Sequence, residues 1–234
     1  MAPRVRGRNL LVATGFAVAA SVMYFAGLFG IYFQQRAQAR GAGLEWIPGD
    51  AVLDCATGTG DLALAFKRAV GAEGDVVGTD FCAEMLAHAP AKAKRAGLEL
   101  SWEVQDAMNL TFEDDRFDVA SISFGIRNVD EPAAAIASMA RTVKSGGRVV
   151  VLEFGQPDGA FGAVYRWYSG NVIPFIGGLM TGEKEAYAYL NRTSSAFPCG
   201  QEFVDLMQSS ASFSDVRAIS MTGGVCWLYI GTVA

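Results

Sequence analysis

The sequence predicts an α/β fold, built on a mostly parallel β-sheet with helices on both faces. Short apolar runs alternate with amphipathic helical stretches between residues 51 and 154, and this alternation is typical of βαβ units. A glycine-rich turn, "ATGTGD", follows the first apolar run. The C-terminal "SDVRAISMTGGVCWLYIGTVA" indicates two strands around "TGG", and a turn this short joins antiparallel neighbours, so one strand of the sheet is reversed.

The individual elements follow from the apolar periodicity. We expect an apolar N-terminal segment at 1–45 and one folded domain at 46–234, in which 155–213 is a substrate-side insertion with two helices. Apolar and β-branched runs predict strands at Ala51–Ala56, Asp75–Thr79, Leu100–Gln105, Phe117–Ser123 and Arg148–Phe154. Helical spacing predicts amphipathic helices near 61–70, 82–96 and 131–144.

The composition excludes several classes of function. The formal net charge is -5 and no run of Lys or Arg follows the first residues, so a nucleic-acid partner is not expected. The four cysteines form no CxxC pair and His88 is the single histidine. Neither a metal site nor a disulfide framework is therefore predicted, and a reducing compartment is favoured. We expect His88 on a helix surface.

The N-terminal segment has no charged residue from Asn9 to Phe33 and follows an arginine-rich start. It suits a membrane anchor or membrane-surface helix, because about 20 apolar residues span a bilayer. It also suits a helical lid packed on the domain, an export signal cleaved near Ala17–Ala19, or an organelle transit peptide. A single span with an interior N-terminus would place the domain outside, which favours the membrane-surface helix over the span.

The turn after the first strand places Gly58, Thr59 and Gly60 between Asp54 and Asp61. Glycines there let a ligand approach backbone N–H groups at a helix start, and "GTGDLA" fits the loose dinucleotide-binding form GxGxxA. The aspartates would repel a pyrophosphate at short range. The ammonium and sulfonium groups of S-adenosylmethionine suit the loop better, so this cofactor is favoured over a nicotinamide dinucleotide.

Further polar residues follow the next strands, at the sheet edge where ligands bind in open α/β folds. Asp80 ends the second strand, where it can accept both ribose hydroxyls. Asp106 and Ala107 follow the third strand and can meet the adenine edge, and Ser123 ends the fourth. Each aspartate alone also suits a helix N-cap or a solvated turn, but their register on successive strands favours one cofactor site.

Several longer strings carry a family resemblance. They are "VLDCATGTGD", "SFGIRNV", "GGRVVVLEFGQP", "YSGNVIPFIGGLMTGEKEAYAYLNRTSSAFP" and "TGGVCWLYIG", between about Ile47 and Thr232. On these strings the chain resembles the ubiquinone/menaquinone biosynthesis C-methyltransferases of the UbiE type, which are class I methyltransferases. The resemblance implies a substrate-facing loop with Arg127 and Asn128, and S-adenosylmethionine contacts at Thr59, Asp80, Asp106, Ala107 and Ser123.

The resemblance also implies an activity, methyl transfer to a ring carbon of a prenylated benzoquinol or naphthoquinol. An enzyme that uses S-adenosylmethionine should face the bacterial cytosol or the mitochondrial matrix, and the N-terminal segment favours membrane association. A homodimer or a quinone-biosynthesis complex is left open. The chain departs from the family where a Tyr-Asp-x-x-Asn string is replaced by residues that include Ala20, Ser21 and Tyr24. A methyltransferase for another phenolic or lipidic compound, or a non-catalytic lipid-binding partner, therefore stays open.

The chemistry of such a reaction gives roles to the loop. A hydroquinol carbon becomes nucleophilic when its hydroxyl loses a proton, so the site must stabilise a phenolate. Arg127 suits this task because a guanidinium stays protonated, and any part in deprotonation would pass through a bound water. Asn128 suits substrate orientation. The alternative is that Arg127 forms a structural salt bridge with Asp130 or Glu131.

The proton that leaves the ring needs an acceptor. Glu153, Tyr165 and Tyr168 are candidates with weaker support. The segment 161–180 is aromatic and aliphatic, so it either lines a passage for the prenyl tail or packs as ordinary helix.

Overall fold

The computed structural model describes residues 48–167 and 196–234. Predictions on the N-terminal segment, on Tyr168 and on most of 161–180 lie outside the described residues. The described residues divide into two compact units. The larger holds residue 48 to Gly155, Pro198–Ser220 and Cys226–Ala234, and the smaller includes Gln156 to Trp167 and Met221–Val225.

A seven-stranded sheet forms the centre of the larger unit. Its strands are β1 (Ala51–Cys55), β2 (Asp75–Asp80), β3 (Ser101–Val104), β4 (Phe117–Ser123), β5 (Val143–Phe154), β6 (Phe213–Met221) and β7 (Cys226–Val233). Their order across the sheet is β3-β2-β1-β4-β5-β7-β6. Pairing is parallel from β3 through β5, and β7 runs antiparallel to β5. The predicted mostly parallel sheet with a C-terminal antiparallel hairpin is confirmed.

Helices connect the strands. They are α1 (Asp61–Val70), α2 (Ala83–Leu86), α3 (Ala89–Ala96), α4 (Pro132–Thr142), α5 (Gly159–Trp167) and α6 (Gln201–Ser210). The single helix predicted at 82–96 is wrong, because two helices meet at His88. Pro90 lies at the start of α3, where a missing N–H leaves no helical hydrogen bond unmade. His88 is exposed, as predicted, but it lies in the turn between the two helices and not on a helix surface.

Several boundaries differ from the prediction, three of them for reasons of pairing or backbone conformation. The strand predicted from Arg148 begins at Val143, because Val143 pairs with Phe117 of β4. The helix predicted to reach 144 therefore ends at Thr142. β1 ends at Cys55, since Ala56 adopts a φ of 50° and leaves the extended conformation.

The strand order creates a switch point beside β1. The chain proceeds from β1 to β2 and β3 on one side, and returns to β4 and β5 on the other. Open α/β sheets bind ligands at the carboxyl ends of the strands at such a point. α1 packs its apolar side chains on one side of this region, in a core cluster of Val52, Ala63, Phe66, Val70 and Val76.

The smaller unit contains α5, an amphipathic helix with an exposed apolar face. Phe161, Val164 and Trp167 of this helix are largely exposed, at the spacing that places side chains along one side of a helix. The part of the chain that the structure describes holds no helix of sufficient length and apolarity to cross a bilayer.

Candidate cofactor and active site

The loop after β1 curls tightly over Trp102. Gly58 and Gly60 adopt φ values of 59° and 83°, in the left-handed region that favours glycine. A Cβ on Gly60 would lie 2.6 Å from the Trp102 ring and 2.9 Å from the Ala89 Cβ. Both the conformation and the space at Gly60 therefore require a glycine.

Asp80 ties this loop to the end of β2. Its Oδ2 accepts a hydrogen bond from the Gly58 N–H at 2.8 Å, and its Oδ1 accepts one from the Cys82 N–H at 2.8 Å. The residue is 5% exposed. Burial raises the pKa of this carboxyl, while the two backbone hydrogen bonds lower it in part. The structure thus brings Asp80 and the glycine loop together, as expected for a ribose site.

Asp54 lies beneath the loop. Its Oδ2 accepts a hydrogen bond from the Thr57 hydroxyl at 2.6 Å and its Oδ1 accepts one from the Ser121 hydroxyl at 2.7 Å. The residue is 1% exposed, and burial raises its pKa to about 6. Asp54 therefore holds the loop in place from below, and a role in cofactor binding stays a prediction. Thr57 and Ser121 are supporting residues that the sequence analysis missed.

The raised pKa of Asp54 predicts a pH-dependent stability. An acid whose folded pKa is about 6, against an ordinary 3.8, binds protons more tightly in the folded state. Its contribution to the free energy of unfolding is present below about pH 4 and is lost as the pH rises to 6. In Asp54→Asn, stability relative to wild type should therefore increase by about 2 kcal/mol between pH 4 and 6.5, since each tenfold change in proton affinity is worth about 1.4 kcal/mol.

Urea unfolding at a series of pH values measures this difference. Asp118→Asn is the matched control, because burial raises the Asp118 pKa but hydrogen bonds from Lys144 and Ala51 lower it by more. The wild type gains stability as the pH rises through the acidic range, because the folded pKa of Asp118 lies below its ordinary value. The stability of Asp118→Asn relative to wild type should therefore decrease as the pH rises. An Asp54→Asn difference that stays constant with pH would contradict the prediction.

Thr59 and Asp61 are bridged by a lysine. Lys92 Nζ lies 2.7 Å from Thr59 Oγ1 and 2.7 Å from Asp61 Oδ2. The repulsion of a pyrophosphate that we expected from Asp61 is therefore partly offset, and Asp54 and Asp80 are the remaining acids beside the loop. No local pattern could have shown this, because Lys92 and Asp61 are 31 residues apart.

A cavity of about 160 Å³ lies at the ends of β3 and β4. It brings together the predicted Asp106, Ala107 and Asn128 with residues that the sequence analysis did not single out. The lining is Ala56, Phe81, Gln105, Asp106, Ala107, Met108, Gly125, Asn128, Val129 and Asp130. Phe81 is 64% exposed, so its ring offers an apolar surface beside the predicted adenine contacts.

Two polar groups in the cavity wall differ in how they are satisfied. Asp106 Oδ1 accepts a hydrogen bond from the Met108 N–H at 2.9 Å, which makes Asp106 the N-cap of a short 3₁₀ turn. Asn128 Oδ1 is buried and has no hydrogen-bond partner among the described residues. A buried acceptor without a partner is costly, which makes Asn128 Oδ1 a candidate acceptor for a ligand donor. Ser123 ends β4 half-buried and does not line this cavity.

Arg127 lies beneath the cavity wall. Its Nη1 donates to Glu153 Oε1 at 2.5 Å and to the Phe124 carbonyl at 2.8 Å. The Arg127 and Glu153 side chains are 0% and 1% exposed. Arg127 does form a salt bridge, but the predicted partners, Asp130 and Glu131, are wrong. Both acids are exposed, whereas the 3₁₀ turn at Ile126–Asn128 directs the Arg127 side chain towards Glu153 at the end of β5.

Glu153 is placed poorly for a proton acceptor. Burial raises its pKa, and the Arg127 charge with its hydrogen bonds lowers it in part. Its oxygens also accept the Phe154 and Arg127 N–H groups, at 2.8 and 3.4 Å. Glu153 is not in the cavity lining. Tyr165 lies in the smaller unit, and its role stays a prediction.

Within residues 48–167 and 196–234, no three His, Cys, Asp or Glu side chains lie close enough together to bind a metal ion. The four cysteines are free.

The profile of the ubiE/COQ5 methyltransferase family matches residues 32–233. The chain belongs to this family. It is therefore a methyltransferase, and the resemblance in the sequence analysis is confirmed. The chain is 56% identical over 186 residues to the ubiquinone/menaquinone biosynthesis C-methyltransferase UbiE of Bdellovibrio bacteriovorus, covering 79% of each chain. It is 46% identical over 205 residues to the demethylmenaquinone methyltransferase of Thermus thermophilus, covering 87% of this chain and 91% of that one.

Solved structures support the class I methyltransferase fold of this family member. A SAM dependent methyltransferase from Aquifex aeolicus aligns with a TM-score of 0.57 at 14% identity, over 84% of this chain and 89% of that one. The CurJ carbon methyltransferase aligns with a TM-score of 0.58 at 15% identity, over 80% of this chain and 49% of that one. At such identities the likeness extends to the fold alone.

Proposed function

We propose that the protein methylates a ring carbon of a prenylated benzoquinol or naphthoquinol, with S-adenosylmethionine as methyl donor. The observation that carries the proposal is the 56% identity, over 79% of both chains, to a ubiquinone/menaquinone biosynthesis C-methyltransferase. The relative from Thermus thermophilus is a demethylmenaquinone methyltransferase. The two names leave the benzoquinol and the naphthoquinol both open as the acceptor.

The described residues fit S-adenosylmethionine. An ionised carboxylate offers about four acceptor sites, and the N–H groups of Gly58 and Cys82 use two of those on Asp80. Two remain for the hydroxyls of a ribose. Asp106 and Ala107 in the cavity wall suit an adenine. When bound, S-adenosylmethionine supplies an electrophilic methyl group on a sulfonium cation.

The loop residues act on the quinol side of the reaction. The open acceptor of Asn128 in the cavity wall would take a hydrogen bond from a quinol hydroxyl and orient the ring. Arg127 pairs with Glu153, so the pair is net neutral and a phenolate would feel a smaller positive field than from a lone guanidinium. We therefore assign substrate contact to Asn128, and we place Arg127 in support of the turn that presents it.

The membrane surface is the proposed place of action. A prenylated quinol resides in the bilayer, so its enzyme must reach the interface. The exposed apolar face of α5, formed by Phe161, Val164 and Trp167, supports an interfacial position, since apolar side chains of this kind bury at the acyl boundary. This surface would also suit the start of a passage for the prenyl tail.

Binding and turnover assays test the proposed function. Calorimetric titration should give micromolar S-adenosylmethionine binding and no NAD binding. Labelled S-adenosylmethionine should then transfer its methyl group to a prenylated demethylnaphthoquinol or demethylbenzoquinol in lipid vesicles, at a ring carbon located by mass spectrometry.

The other outcomes separate the alternatives. Cofactor binding with methylation of an unprenylated phenol, and of neither quinol, would favour a different small-molecule acceptor. A folded protein that binds vesicles but not S-adenosylmethionine would favour the non-catalytic lipid-binding partner.

A further inference from the structure

We propose that Glu153 is a positioning residue, which fixes the turn from Phe124 to Asn128 and so sets the polar wall of the cavity. The inference rests on the proposed function for its effect on turnover. Glu153 touches neither cavity nor loop surface, because it is 1% exposed and absent from the cavity lining. Its contribution to the reaction would therefore act through other residues.

One carboxylate holds both the side chain and the backbone of Arg127. Glu153 Oε1 accepts from Arg127 Nη1 at 2.5 Å, and Oε2 faces the Arg127 N–H at 3.4 Å. Oε1 also accepts from the N–H of Phe154 at 2.8 Å, which fixes the carboxylate itself to the end of β5. The backbone and the side chain of Arg127 are thus both held to the end of β5 by Glu153.

Arg127 in turn reaches back to the start of the turn. Its Nη1 donates to the Phe124 carbonyl at 2.8 Å, and its guanidinium lies 5.0 Å from the centre of the Phe154 ring. The Phe124 and Phe154 rings are 4.6 Å apart. The ion pair and the two rings therefore clamp both ends of a short turn.

The clamped turn is strained and closely fitted. Phe124 adopts a φ of 54°, a conformation that a bulky residue keeps only where its surroundings impose it. A Cβ on Gly125 would lie 2.6 Å from that of Ala56, so the turn presses on the cofactor loop. Asn128 follows, with its N–H on the Gly125 carbonyl at 3.0 Å. A shift of the turn would thus move the Asn128 acceptor.

The Arg127–Glu153 ion pair contributes more to fixing the geometry of the turn than to the stability of the fold. A buried pair loses hydration on both ions, and apolar residues of similar volume often stabilise a core at least as well. Its hydrogen bonds are directional, however, and they specify one arrangement of Arg127 and the adjacent backbone. An apolar contact would leave that arrangement free to slide.

Kinetics of five proteins test the proposal: wild type, Glu153→Gln, Arg127→Met, the double variant that combines these two changes, and a destabilised control, Met139→Ala, which removes a fully buried side chain from α4. All are assayed well below their melting temperatures, with the demethylated quinol that the wild type methylates as acceptor. For Glu153→Gln we expect kcat to fall at least about tenfold. The Kd for S-adenosylmethionine should stay within about twofold, because the residues predicted to contact the cofactor follow β1 to β4, whereas Glu153 lies on β5. The control should keep kcat within about twofold.

The double variant tests whether Glu153 acts through Arg127. It removes both charges and should fold even where one unpaired ion prevents folding. Its kcat should equal that of Arg127→Met alone, since two residues that act as a unit are not additive. Independent multiplicative losses, or a Glu153→Gln enzyme with wild-type kcat, would overturn the proposal.

Amide hydrogen exchange gives a reading that needs no substrate. In Glu153→Gln the Arg127 and Asn128 amides should exchange at least about tenfold faster, and in Met139→Ala they should follow the global stability only. Unchanged local exchange in Glu153→Gln would overturn the positioning role. If wild type methylates neither quinol, the proposed function fails, and the exchange experiment still decides the role of Glu153.

Discussion

Replacing Asp80 with alanine is expected to weaken S-adenosylmethionine binding at least about a hundredfold, or about 2.7 kcal/mol. Two effects combine. The Gly58 and Cys82 N–H groups lose their acceptor, so the loop loses a fixed position. The ribose hydroxyls lose a charged acceptor, and each such hydrogen bond is worth about 1.5–3 kcal/mol.

Asp75→Ala is the matched control for this variant. Asp75 begins the same strand that Asp80 ends, and it forms an exposed ion pair with Arg116 at 3.5 Å. Exposed pairs are worth about 0–1 kcal/mol, so neither stability nor cofactor affinity should change much. Calorimetric titration with S-adenosylmethionine decides the comparison. Equal affinities of Asp80→Ala and wild type would remove Asp80 from the cofactor site.

Replacing Gly60 with alanine is expected to destabilise the protein by about 2–5 kcal/mol and to abolish cofactor binding at micromolar concentrations. The left-handed φ of 83° costs a non-glycine residue about 1–2 kcal/mol. The added Cβ would also meet Trp102 and Ala89 at 2.6 and 2.9 Å, and overpacking of this kind costs about 1–3 kcal/mol. To relieve the clash, the loop after β1 would have to move away from Trp102, which would disturb the hydrogen bond from the Gly58 N–H to Asp80.

Gly97→Ala separates the strain from the clash. Gly97 caps the C-terminal end of α3 with a φ of 65° and a ψ of 32°, in the same left-handed region as Gly60, and a Cβ there meets nothing within 4 Å. It should lose only the conformational part, about 1–2 kcal/mol, and keep its cofactor affinity. Urea unfolding measures both losses. Equal destabilisation by the two variants would show that Trp102 yields and that the close packing of the loop is not required.

The fold and the cofactor loop could be predicted because their signals are local. Apolar periods of two and of about 3.6 residues mark strands and helices wherever they occur, and a glycine-rich turn after a strand marks a ligand loop. Asp80 and Asp106 were predicted from their places after strands, and Asp80 does meet the loop. Asp54 shows the limit of this reasoning, because its position in the motif did not reveal that its two oxygens accept hydrogen bonds from the Thr57 and Ser121 hydroxyls.

The sequence by itself determined the α/β class, the reversed C-terminal strand, the family and the sheet edge at which the site lies. Only the tertiary structure decided the partners of the charged residues. Glu153 is 26 residues from Arg127, Lys92 is 31 from Asp61, and Ser121 is 67 from Asp54. Strand order and the packing of helices on the sheet bring these pairs together, and both depend on how the whole core packs. Two nearby acids, Asp130 and Glu131, were the predicted partners of Arg127, but the turn directs its guanidinium into the protein. A buried charge needs a partner of opposite charge, and Glu153 is the buried carboxylate that pairs with it.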